Sequence, residues 1–256
     1  VNNSASERRI IVVPISLYGI HPDALRALVR IAHQLDSSLL GLLLEDSRLH
    51  QAAALPFATE ISLGSGRERS FSTSRQSASL KFRGDDTRRR LHDMALQGKV
   101  ELAFEDLGLA RLHSVLDRDG ERDIFFPARQ RWQPQAGKYG FSTPPLRRLA
   151  VVLTHAAQDQ RVLEVAQTLM RAGLVFELYL VSAGSPSQPQ LDMLYRPGAR
   201  ICVQSNLEPG PAAIIALIRR AGYNLLLLPR DALSDIPAEL LDNALDQAGS
   251  QVLVIN

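Results

Sequence analysis

Residues 224–244 read NLLLLPRDALSDIPAELLDNA: an apolar run, a turn, then an amphipathic segment. Where a parallel strand gives way to a helix, α/β proteins usually hold a phosphate, because the helix N-terminus offers backbone N–H donors. Glycines normally let that backbone come close. Here Pro229, Arg230 and Asp231 fill the junction, and no glycine follows until Gly249. Proline lacks an N–H, so Pro229 removes a donor where donors are wanted. Arg230 offers a side-chain cation instead, with the competing reading that it caps a helix or pairs with Asp231. IFFPAR, at 124–129, repeats the pattern and puts Arg129 just beyond Pro127. Ser16 and His155 end apolar runs and complete the set of ligand-binding candidates: Ser16, Arg129, His155, Arg230 and Asp231. Ser16 lacks the G-x-S-x-G surroundings of a nucleophile. His155 has no second histidine or carboxylate cluster at metal-ligand spacing. No set of nucleophile, base and oxyanion donors emerges, so no catalytic residue, metal ligand or cofactor is assigned and the chain is expected not to be an enzyme. His21, His33, His50, His92 and His113 are scattered and read as surface or boundary residues.

These candidates sit on a repeated pattern. RRIIVVPIS (8–16) matches RRLAVVLTH (147–155), VRIAHQL (29–35) matches LEVAQTL (163–169), and GERDIFFPAR (120–129) matches GYNLLLLPRD (222–231). Three matches in the same order indicate a duplication. The second half predicts strands at 148–154, 174–182, 200–204, 224–229 and 251–255. Its helices are expected at 157–172, 188–195, 210–221 and 236–247. Near-continuous apolar strands such as NLLLL indicate a parallel sheet covered on both faces. The first half predicts strands at 10–15, 38–44, 100–104 and 123–127, with helices at 22–35, about 76–97 and 108–118. The expected fold class is therefore α/β, with two tandem doubly wound parallel-sheet domains at 8–128 and 147–256. A linker over 129–146 joins them, and its Trp132, Tyr139 and Phe141 are expected to pack against the first domain.

The first domain differs from the second in two ways. It carries an insertion at about 46–75, expected as a short helix to Leu55, a turn at Pro56-Phe57 and a solvated loop that includes GSGRER. It also lacks a counterpart to IPAELLDNALDQAGSQVLVIN, and so its last helix and strand. The one final strand, Gln251–Ile255, is expected to cross to the other half or to serve self-association, since bare apolar edges are rarely left exposed.

Element order, the opening VVP strand and the LLLLP strand resemble the universal stress protein family in its tandem form. In nucleotide-binding members an Asp ends the first strand and a Gly-x2-Gly-x9-Gly-Ser/Thr segment follows the fourth. The matching Asp positions here hold Ser16 and His155, and the first two glycine positions hold Pro127 and Gln130 in one half and Pro229 and Ala232 in the other. The resemblance thus implies a stress-linked signalling or protein-interaction module, with an unknown protein partner and a degenerate ATP-binding motif. The alternative is a nucleotide-binding or nucleotide-hydrolysing relative that uses Arg129 or Arg230 in place of glycines.

Bulk properties narrow the remaining classes. A formal net charge of +2 gives the whole molecule no strong field for nucleic acid. The segment 64–90, Ser- and Arg-rich with Phe71 and Phe82, is the one place where nucleic-acid binding has a basis, and a solvated strip is the favoured reading. The single cysteine, Cys202, rules out an internal disulfide and fits a reducing compartment. No apolar run reaches the ~20 residues that span a bilayer, so no membrane association is expected and the expected location is cytoplasmic.

Overall fold

The computed structural model describes residues 9–16, 20–45, 55, 59–61, 66–70, 73–118, 121–128, 146–154, 159–182, 184–205 and 210–256. In chain order the first part carries β1 (Ile10–Ser16), α1 (Pro22–Gln34), β2 (Ser38–Glu45), β3 (Thr59–Ile61) and β4 (Glu68–Ser70). It continues with α2 (Thr73–Gly98), β5 (Leu102–Leu109), α3 (Leu112–Arg118) and β6 (Asp123–Phe126). The second part carries β7 (Arg148–Leu153), α4 (Asp159–Arg171), β8 (Glu177–Ser182), α5 (Gln188–Leu194), β9 (Arg200–Gln204) and α6 (Pro211–Arg219). It ends with β10 (Leu225–Pro229), a 3₁₀ turn (Arg230–Leu233), α7 (Ala238–Asp246) and β11 (Gln251–Ile255).

The fold is α/β with a mostly parallel central sheet. Nine strands lie in the order β5-β2-β1-β6-β11-β10-β7-β8-β9. The two sheets expected from the sequence thus form one continuous sheet. Strands β5, β2, β1 and β6 are mutually parallel, and so are β11, β10, β7, β8 and β9. The single antiparallel join is β6 with β11, at Phe126↔Val252, Phe125↔Leu253 and Ile124↔Val254. Strand β11 therefore has both edges hydrogen-bonded, one to each part.

Local sequence explains the elements that flank the sheet. Pro22 starts α1 at a position that needs no N–H, and the His21 ring accepts from the Asp23 N–H at 3.3 Å. Leu25, Leu28, Ile31 and Ala32 then fall on one buried face. The helix closes where Ser37 N donates to Ala32 O at 2.9 Å across Asp36, whose φ is +48°. One face of the sheet is covered by α1, the C-terminal half of α2, α4 and α5; the other by α3, α6, the 3₁₀ turn and α7. Strand β11 shows the alternation plainly. Leu253 and Ile255 enter the first core and Val252 and Val254 the second, all with no exposed area. Gly249 precedes it because a Cβ there would lie 2.5 Å from Arg219 O and 2.8 Å from Ala221 N.

Two local expectations are corrected. The helix expected from residue 108 begins at Leu112, because β5 continues to Leu109 through an irregularity opposite Leu43 and Leu44. Gly108 takes φ +65° there and its N–H donates to Asp106 Oδ1 at 2.9 Å, so the glycine shapes a bulge and not a helix start. The stretch from residue 64 expected as a solvated loop contains β4, which pairs antiparallel with β3, and Thr59 Oγ1 donates to Glu68 Oε1 at 2.9 Å. The turn at Pro56-Phe57 and the packing of Trp132, Tyr139 and Phe141 lie outside the described residues. Among the described residues no helix is long and apolar enough to cross a membrane.

Candidate functional site: the carboxyl ends of the sheet

In a doubly wound sheet a ligand crevice opens beyond the carboxyl ends of the strands, where strand order reverses. That reversal falls between β1 and β6 in the first part and between β7 and β10 in the second. The residues at those four strand ends decide what each crevice can hold.

At the second crevice, β7 ends at Leu153 and hands over to Thr154. Asp159, buried in the first turn of α4, accepts from Thr154 N at 2.9 Å and from Thr154 Oγ1 at 3.3 Å. A carboxylate at a helix N-terminus is stabilised by the helix dipole. Here it also ties the strand end to the helix start. Ser182, fully buried at the end of β8, accepts from Gly184 N at 3.3 Å. These groups are occupied with one another.

Strand β10 ends in the buried Pro229 and passes straight into the 3₁₀ turn. Arg230 is half-buried. Its Nη1 donates to Leu116 O at 2.5 Å and its Nη2 to Arg122 O at 2.9 Å. Leu116 lies in the last turn of α3 and Arg122 just precedes β6, so this guanidinium reaches across to the first part of the chain. There it satisfies one carbonyl that α3 leaves open at its end and the carbonyl that leads into β6. Asp231 is exposed; its backbone carbonyl accepts from Ser234 N at 3.3 Å and Ser234 Oγ at 2.8 Å. The buried Leu233 and Ile236 pin the turn from beneath.

At the first crevice, Ser16 is the last residue of β1, opposite Leu44 of β2. Phe126 ends β6 and Pro127 follows half-buried. Arg129 and His155 lie outside the described residues. Of the candidates, Arg230 and Asp231 are brought together as neighbours in one turn.

Sequence reasoning missed three polar ties. Asp159 with Thr154 carries a weak local signal, an acid just ahead of an apolar helical repeat. His113 on α3 meets Asp242 on α7, with His113 N donating to Oδ1 and its Nδ1 2.8 Å from Oδ2. Arg9 pairs with the buried Asp123, which also accepts from Asn256 N at 3.1 Å. The last two join residues more than a hundred positions apart and leave no local trace.

No protein-family model matches the chain, and no curated protein does. Among solved structures it is similar to a universal stress protein from Archaeoglobus fulgidus DSM 4304, at 10% identity and a TM-score of 0.45, with 96% of each chain covered. It is also similar to one described as "Putative Universal Stress Protein from Pseudomonas aeruginosa UCBPP-PA14", at 14% identity and a TM-score of 0.44, covering 97% of this chain and 93% of that one.

Proposed function

We propose that this chain is a tandem molecule of the universal stress protein type whose nucleotide crevices have been given up, and that it acts as a non-catalytic signalling or protein-interaction module. The two halves are 8–128 and 147–256, joined by 129–146. The observation that carries this reading is the commitment of Arg230. A polyphosphate needs several convergent donors or cations to replace its hydration. At the end of β10 the glycines are replaced by proline and alanine, and the arginine that would substitute for them is bound to Leu116 O and Arg122 O. Even a freed arginine would contribute about 1.5–3 kcal/mol as a charged hydrogen bond. A micromolar site needs about 8 kcal/mol.

The sequence resemblance supports the same class, since element order and strand patterns fit while the phosphate-wrapping segment does not. Calorimetric titration of the full chain with ATP, ADP and AMP is the test. The expected result is no saturable binding in the micromolar range. Micromolar binding abolished by Arg230→Gln would favour the nucleotide-binding alternative.

A further inference from the structure

Helix α1 leads away from the carboxyl end of β1, and its last turns, with the end of α2, border an open surface cavity of about 440 Å³ whose polar lining residues are all exposed. That volume lies within the range of small-molecule sites. Its apolar wall is made by Val29 on α1 and Leu174, three residues past the end of α4, which packs on the same core. Gly98 lets the two helices close on each other, because a Cβ there would fall 2.4 Å from Val29 Cγ1.

The polar lining is one-sided in its chemistry. Arg30, His33 and Lys99 all face this cavity, and Gln34 and Gln97 complete it. Each of these side chains can donate a hydrogen bond, and none of the lining residues is a carboxylate. The side chains of Arg30, His33 and Lys99 make no hydrogen bond or ion pair among the described residues. Arg230, by contrast, donates through Nη1 to Leu116 O and through Nη2 to Arg122 O.

Lys99 supplies an independent observation. Helix α2 ends with Lys99 N donating to Leu96 O at 3.2 Å and Val100 N to Ala95 O at 2.9 Å. The residue at that position must enter the left-handed region, and Lys99 has φ +55°. Helix α4 ends with the same pair of bonds, yet uses Gly173 at φ +73°. A side chain with a Cβ is disfavoured there. Helix α1 closes with the same pair of bonds on Asp36 at φ +48°, and strain of this kind clusters at functional positions. Cations near helix C-termini also balance the helix dipole, but that role needs neither a cavity with an apolar wall nor a strained backbone.

We propose that this cavity binds a small organic anion. Its phosphate or carboxylate oxygens are held by Arg30 and Lys99 with His33 beside them, and its apolar body lies on Val29 and Leu174. The site is separate from the carboxyl-end crevices, so its fate does not depend on how those are read.

Phenyl phosphate carries both required features, and benzoate presents a carboxylate in place of the phosphate. Inorganic phosphate and phenol each carry one feature. Titration of all four into the full chain, followed by calorimetry and by NMR shifts, tests the proposal. The expected result is saturable binding of phenyl phosphate, benzoate or both, tighter than inorganic phosphate or phenol; the stronger of the two identifies the anion class. Arg30→Gln and Lys99→Gly should each weaken it about tenfold or more, the usual effect of losing a charged hydrogen bond. Lys99→Gly should at the same time raise Tm, because it relieves the left-handed backbone, so loss of binding there cannot come from misfolding. Arg230→Gln should leave this binding unchanged. No saturation by about 10 mM, phenol binding as tightly as phenyl phosphate, or affinity indifferent to both cavity variants would overturn the proposal.

Discussion

Two arginines open the two parts of the sheet in the same sequence pattern, and they are put to different uses. Arg9, just before β1, pairs through Nε with Asp123, whose carboxylate has no exposed area and whose other oxygen accepts from Asn256 N. Arg148, the first residue of β7, pairs with Glu177 on the neighbouring strand at 3.0 Å, and its own side chain is half exposed. The first pair sits where β1, β6 and the end of β11 converge. The second lies on the amino side of β7 and β8, away from the join. The same short motif thus gains or loses structural weight according to its distance from the one antiparallel seam. A carboxylate buried at the seam is costly to leave without its partner, whereas an exposed pair can be lost cheaply.

The largest effect should come from removing the strand that makes the seam. Truncation after Gly249 deletes Val252, Leu253, Val254 and Ile255, each with no exposed area. At about 1.5–3 kcal/mol per buried side chain, their sum is comparable with the whole stability of a typical protein, about 5–15 kcal/mol. Cooperative urea unfolding should disappear and the soluble yield collapse. An unchanged midpoint and assembly state would show that β11 does not hold the two parts together.

Arg9→Met comes next, because it strands a buried carboxylate. A loss of about 3–5 kcal/mol is expected, read as a lower urea midpoint at unchanged slope. Replacing Gly249 by Ala should cost about 1–3 kcal/mol, since the added carbon meets backbone atoms that cannot turn aside.

The outer pair should matter least. Arg148→Met is expected to move the urea midpoint far less than Arg9→Met, and a comparable loss would break the comparison. Its trace should instead be in the pH profile. Burial works against the charge on Glu177, but the hydrogen bond and charge of Arg148, the Tyr179 hydroxyl and the charge of Arg147 outweigh it. The carboxyl therefore titrates below its ordinary 4.5. A depressed pKa contributes stability that is present above the unfolded value and is lost as pH falls through the folded one. Glu177→Gln should accordingly give up that small contribution at neutral pH and converge on the parent chain as pH falls below about 4.5, which flattens the acid limb of the stability profile.

How much of this was legible in sequence follows from how far each interaction reaches. LLLLP and QVLVI announce buried strands through composition alone, and α1 and α4 through the spacing of their apolar residues. The insertion concealed its hairpin because ERS and TEI carry no apolar alternation. Gly108 reads as a helix boundary until its positive φ and the opposing bulge are seen. At the candidate site, the absence of glycine around Pro229 was visible. The destination of Arg230 was not, since Leu116 and Arg122 lie 114 and 108 residues earlier. Lys99 gave no signal either, because a helix end that uses lysine where glycine is usual looks like an ordinary charged surface.

The central claim is that the junction beyond β10 serves the seam and not a nucleotide, and Arg230→Gln tests it when stability and ATP affinity are measured on the same protein. The variant should lose about 1.5–3 kcal/mol of unfolding free energy while its calorimetric response to ATP stays as weak as that of the parent chain. Unchanged stability together with the loss of a micromolar ATP site would contradict the account.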